Sequence, residues 1–156
     1  MRYRMALFGL HIATLAPACG RISSSNATPP SKADAIGLVQ TYAGACGGPA
    51  SAPNDDFNDP LRKLMRGCSE IPSCAGTCAA SLHKGSDIAS SSKENDQALM
   101  ECFPEFKRDH EQNGLTRRAF GFRLVSDYAD RVLEAKVLDA EGEQHLRQMR
   151  AKCPTP

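Results

Sequence analysis

Apolar residues recur at threes and fours along most of this chain, and nowhere do they alternate for long enough to mark a strand. That periodicity predicts an all-α fold. Ser31 predicts the cap of a first helix, with Asp34 in its first turn. Ile36, Val39, Ala43 and Cys46 would form its inner stripe and Gly47-Gly48 its stop. Residues 47–58 carry Gly, Pro, Asn and Asp, which favour turns over helix interiors. Asp59-Pro60 then sets a capping side chain before a proline at the first helical position, where its missing N–H costs nothing. A stripe of Leu61, Leu64, Met65 and Cys68 follows. Pro72 predicts a third helix with Cys74, Ala75, Cys78 and Leu82 inside, closed by a Ser-rich connection over residues 84–93.

Ser91 and Glu94 have the spacing of a capping box ahead of Ala98, Leu99, Cys102, Phe103 and Phe106. Pro104 lies inside that pattern and predicts a kink or a split into two short helices. Thr116 starts the longest helix, expected to run to about Val137. Phe120, Leu124, Tyr128 and Val132 trace one row, widened by Phe122, Val125, Ala129 and Leu133. Asp139 caps a last helix bearing Leu146, Met149 and Cys153. The expected architecture is a small bundle of five to six helices over residues 33–156.

The N-terminus follows another pattern. Met1–Arg4 holds Arg2 and Arg4 and no acid, and Met5–Ala16 is apolar apart from His11 and Thr14. With the small residues Ala16-Pro17-Ala18 behind it, this reads as a secretory signal peptide over residues 1–18. The apolar run falls well short of the ~20 residues that span a bilayer. Ala16-Pro17-Ala18 suits an ordinary signal peptidase. Leu15–Cys19 also resembles the lipobox of bacterial lipoproteins, although Ala16 stands where that family prefers leucine and Pro17 is an uncommon neighbour. The resemblance implies cleavage before a lipid-bearing Cys19 and membrane attachment through its acyl chains. Gly20, in place of aspartate, implies sorting to the outer membrane. Residues 19–32 would then form the anchor and a Ser- and Pro-rich tether, with a root-mean-square reach of ~20 Å.

Cysteine number bears on the same choice. The chain has seven cysteines, and setting Cys19 aside leaves an even set suited to disulfides in an oxidising compartment. Cys46, Cys68, Cys74, Cys78, Cys102 and Cys153 nearly all fall on the inner stripes, as cross-linking of neighbouring helices requires. Six cysteines allow 15 pairings. If helices 3 and 4 form an antiparallel hairpin, Cys74 and Cys102 would lie at matching heights. Redox or metal roles compete, but Cys74 and Cys78 lack the C-x-x-C spacing, and no C-x-x-C-H occurs.

Charge excludes little but points one way. Loss of Arg2 and Arg4 from 19 basic residues leaves 17 against 18 acidic, which gives no electrostatic reason to expect nucleic acid as a partner. Arg117, Arg118 and Arg123 accompany Phe120 and Phe122, and on a helix the rings should point inward while the arginines snorkel outward. The three histidines of the mature chain, His83, His110 and His145, form no close ligand pair. His83 and His110 fall near helix C-termini, where imidazolium is favoured, and His145 reads as exposed. The oxygen-rich run Asn54–Asp59 lacks the glycine and alternation of a calcium loop, so a turn into the Asp59 cap is expected. No phosphate loop or nucleophile elbow is present, and the sequence assigns no catalytic, cofactor-binding or metal-binding residue.

These readings lead to an exported, lipid-anchored cell-envelope protein whose helical domain is a binding or structural module for another envelope component. The alternative is a soluble periplasmic or secreted hydrolase-like enzyme with a histidine and carboxylates brought together by folding. The first should show an exposed apolar patch, the second a pocket where a histidine meets Asp or Glu.

Overall fold

The Asp34 backbone N–H donates to the Ser31 hydroxyl, and the Ser31 N–H donates to the Asp34 carboxylate. This reciprocal capping box satisfies two donors that a helix start leaves open. The computed structural model describes residues 28–47, 59–87 and 93–153. Its elements are α1 (Lys32–Cys46), α2 (Pro60–Glu70), α3 (Pro72–Ala75), α4 (Ala79–Gly85), α5 (Lys93–Cys102), α6 (Pro104–Asn113), α7 (Arg117–Ala135) and α8 (Ala140–Lys152). A 3₁₀ turn, Gly76–Cys78, joins α3 to α4. The described residues contain no strand, and none of their helices is long and apolar enough to cross a membrane. The expected signal peptide, Cys19, the expected tether as far as Ala27, residues 48–58 and Ser91 lie outside them.

Helix α2 is central, packing on α1, α3, α4 and α7, while α8 closes against α1 and α7. Its predicted stripe, Leu61, Leu64, Met65 and Cys68, is fully buried. Tyr42, Phe106, Phe120 and Tyr128 are the largest fully buried side chains among the described residues. Both predicted rows of α7 are buried as well. The side chains of Asp59, Thr116 and Asp139 each accept a backbone N–H at the start of α2, α7 and α8.

Two expectations change and two others are met. The inner face of α1 is Ala35, Leu38 and Tyr42, whereas Ile36 is 43% exposed and Val39, Ala43 and Cys46 are half-buried. Two rows with helical spacing run along this small-residue helix, and periodicity alone does not rank them. The third predicted helix breaks at Gly76, whose φ of 56° belongs to a region open to glycine. As expected, Pro104 splits its pattern into two helices, α5 and α6, with Phe103 extended between them. Helix α7 ends at Ala135, close to the expected Val137, where Lys136 adopts a left-handed conformation at φ 50°.

Three disulfides staple the bundle, as expected of a chain that folds in an oxidising compartment. Cys46 pairs with Cys153, Cys68 with Cys74, and Cys78 with Cys102, their Cα atoms 5.2, 5.3 and 5.7 Å apart. Helices α4 and α5 do pack together, but Cys78 rather than Cys74 faces Cys102. The turn at Ile71 folds Cys74 back onto Cys68, and Gly76 redirects the chain so that α4 begins beside Cys78.

Candidate functional site

Helices α1 and α2 approach unusually closely. A Cβ added at Gly67 would fall 2.2 Å from Thr41 Cγ2, so only glycine allows this separation. Thr41 turns its hydroxyl back onto its own helix, donating to the Gly37 carbonyl at 2.8 Å. Beside the crossing lies an open groove of about 470 Å³ lined by Ala33, Asp34, Gly37, Gln40, Thr41, Gly67, Glu70 and Ile71. Asp34 is on the α1 wall and Glu70 on the α2 wall, with small and apolar residues between them.

Asp34 is the groove's most firmly positioned polar group. Its Oδ2 accepts from the Ser31 N–H at 3.1 Å and from the Ser73 hydroxyl at 2.8 Å. Ser73 is 2% exposed and also meets the buried Tyr128 hydroxyl. A serine has one proton to give, and it goes to Asp34, so Tyr128 donates to Ser73 Oγ. Arg131 completes the arrangement, donating to the Ser73 carbonyl at 2.7 Å with its guanidinium 5.0 Å from the centre of the Tyr128 ring. Burial pulls the Asp34 pKa upward, but the bonds from the Ser31 backbone, the Ser73 hydroxyl and the Ser31 side chain outweigh it and hold the carboxyl below its ordinary value. Burial pushes the Tyr128 phenol up, keeping it protonated as the chain's donor.

The histidines go elsewhere. His83, in the last turn of α4, meets Ser69 of α2 through Nδ1 at 3.3 Å. His110, in the last turn of α6, faces the Leu115 carbonyl at 2.7 Å, so Nδ1 carries the proton there. His145 is exposed on α8. Among the described residues no histidine is ion-paired to a carboxylate, and no group of three His, Cys, Asp or Glu side chains is placed to hold a metal ion. Asp59 of the oxygen-rich run caps α2 and pairs with Arg118 at 2.6 Å; the rest of that run lies outside the described residues.

The basic and aromatic stretch of α7 proves to be a clasp. Phe120 and Phe122 are buried. Arg117 meets Asp96 of α5 at 2.9 Å, and Arg123 meets Asp109 of α6 at 2.8 Å. The Arg117 side chain is only 12% exposed, so it does not snorkel as expected. Each cysteine from Cys46 to Cys153 is in a disulfide, and Cys74 and Cys78 have different partners, which removes the reduced pair that a redox or thiolate-metal role requires. Nor does an apolar patch appear, because Ile36 is the one large hydrophobic side chain exposed among the described residues.

Sequence reasoning missed the groove. It placed Asp34 in the first turn behind the Ser31 cap and gave Ser73, Glu70 and Thr41 no role, since these residues meet only when α1 crosses α2. Comparison with protein-family models, with curated proteins and with solved structures returns no match.

Proposed function

We propose that this chain is an exported envelope protein, lipidated at Cys19, whose disulfide-stapled domain serves as a rigid binding module. The observation that carries the reading is the cysteine pairing. Three disulfides account for six of seven cysteines, leaving Cys19 as the odd one, directly behind a signal-like segment. A diacylated cysteine contributes membrane affinity of ~0.8 kcal/mol per buried CH₂, and a tether with ~20 Å of reach holds the domain off the surface. The groove between α1 and α2 is the binding face, a concave site with a fixed carboxylate on a cross-linked frame.

Intact mass of the protein isolated from its own host, before and after reduction, tests this reading. A diacyl or triacyl increment on a chain beginning at Cys19, with six hydrogens gained on reducing the three disulfides, is the expected result. A chain beginning at Cys19 without lipid would move the protein to the soluble exported class.

A further inference from the structure

We infer that this chain is a substrate of a thiol–disulfide isomerase of the exporting compartment, and that its bridges reach their final pairing only by exchange. The inference rests on the exported reading and goes beyond it by naming a partner in maturation.

Pairing order carries the argument. Cys46 takes the last cysteine of the chain, Cys153, while Cys68 takes Cys74 and Cys78 takes Cys102. A chain entering an oxidising compartment N-terminus first presents these residues in the order Cys46, Cys68, Cys74, Cys78, Cys102, Cys153. Pairing neighbours as they arrive joins Cys46 to Cys68, Cys74 to Cys78 and Cys102 to Cys153. None of these is a native bridge. The native partner of Cys46 follows it by 107 residues, a delay of ~5–20 s at ordinary rates of synthesis. The loop to Cys68 is about a fifth as long, so closure favours it about tenfold even in the finished unfolded chain.

The fold rejects that first bridge. Gly37 lies against Ile71 and Gly67 against Thr41, so α1 and α2 run antiparallel. Cys68 is then level with Gln40, and Cys46 lies ~9 Å further along the axis of α1. Bridged cysteines need Cα atoms within ~6.8 Å. The two helices therefore cannot cross as they do until Cys46 is released from Cys68.

One isomerase thiolate suffices for the whole rearrangement. It attacks the sulfur of Cys46, forming a mixed disulfide and breaking the bond to Cys68, which leaves as a thiolate. Cys68 attacks Cys74 and expels Cys78, and Cys78 attacks Cys102 and expels Cys153. Cys153 then attacks Cys46 and returns the enzyme's thiolate. Each step breaks one S–S bond and makes one, so no electrons are gained or lost and no proton is consumed. Three wrong bridges become the three observed ones. Burial sets the timing. Cys68, Cys74, Cys78 and Cys153 are at most 8% exposed, closed to an enzyme once the bundle packs. Cys46 is half-buried, which keeps the enzyme's last point of attachment near the surface.

The test expresses the full precursor in an exporting bacterial host with and without its envelope thiol–disulfide isomerase. Free thiols are alkylated, and bridged peptides are mapped by mass spectrometry. Without the isomerase, Cys46–Cys68 should appear and Cys46–Cys153 should fall about tenfold, the loop-closure preference. Native pairing at the same yield in both hosts overturns the inference. The double variant Cys46→Ser/Cys153→Ser supplies a second arm. Its four remaining domain cysteines are native partners when paired in order, so Cys68–Cys74 and Cys78–Cys102 should form equally in both hosts. A double variant that still mispairs without the isomerase overturns the ordered route. A parent chain left reduced behind an uncut signal sinks the exported reading and the inference together. An exported chain, correctly bridged in both hosts, sinks the inference alone.

Discussion

Cys46 and Cys153 lie with Cα atoms 5.2 Å apart although 107 residues separate them, so one bond fastens the end of α1 to the residue behind α8. Closing so long a loop removes much of the unfolded chain's freedom. Loop entropy assigns this bridge about 4.8 kcal/mol, against about 3.5 for Cys78–Cys102 and about 2.4 for Cys68–Cys74. Paired serine variants should lose stability in that order, read from urea midpoints at constant slope. If the Cys68/Cys74 variant loses most, the short bridge is holding native structure at the α2–α3 turn and the entropic ranking fails.

Tyr128 and Ser73 should be coupled. Tyr128→Phe removes a donor and costs about 1 kcal/mol, the usual worth of one hydrogen bond. Ser73→Ala leaves the buried Tyr128 hydroxyl without its partner and deprives Asp34 of a donor, so its cost should reach about 1–3 kcal/mol. With both changed, no orphaned hydroxyl remains, and the double variant should lose less than the two singles combined. Ser73→Ala should also raise the Asp34 pKa, readable from its side-chain carbon shift. Additive losses would mean that the two hydroxyls do not act as one chain.

The parts of this fold that were legible in the sequence are those governed by local rules. Caps at Ser31, Asp59, Thr116 and Asp139 need only a side-chain oxygen and the next turn, and the stripes of α2 and α7 are broad enough to fix their inner faces. Legibility ended where a choice depended on a distant element. Ala35 or Ile36 as the inner residue of α1 is decided by the neighbours α2 and α8, and Cys74's partner by a turn at Ile71. Lys136 carries no mark of its left-handed conformation. The groove was invisible for the same reason, since Asp34 and Ser73 are 39 residues apart and Thr41 meets Gly67 only across the helix crossing.

Glycine positions separate packing from propensity. Gly67→Ala would place a methyl inside the Thr41 side chain and force α1 and α2 apart, at an expected cost of about 1–3 kcal/mol. Gly44, also in a helix, has no atom within 4 Å of the place a Cβ would occupy. Gly44→Ala should therefore gain about 0.5–1 kcal/mol through helix propensity and a less flexible unfolded chain. Thermal melts of both variants provide the comparison. A neutral Gly67→Ala would mean that the helices part easily and that the groove's width is not fixed by this contact.

Asp34 and Asp127 should respond to pH with opposite signs. The Asp34 carboxyl is held low, burial being outweighed by its bonds to Ser31 and Ser73. Its stabilising contribution is therefore present above the unfolded aspartate value and is lost as pH falls through the lower folded one. Asp127 is pushed upward, chiefly by burial and further by Asp130, against the pull of Arg123, Arg150 and Arg131. The unfolded chain ionises at this position first, so stability falls as pH rises from the unfolded value through the folded one and stays lower above it. At neutral pH, Asp34→Asn should lower the melting temperature and Asp127→Asn should raise it. Near pH ~2 all the native carboxyls involved approach protonation, and both variants should converge on the parent. Melting curves at intervals between those limits check the crossing. A fixed offset for Asp127→Asn across the whole range would show that the substitution acts through packing, with ionisation of this half-buried carboxyl playing no part.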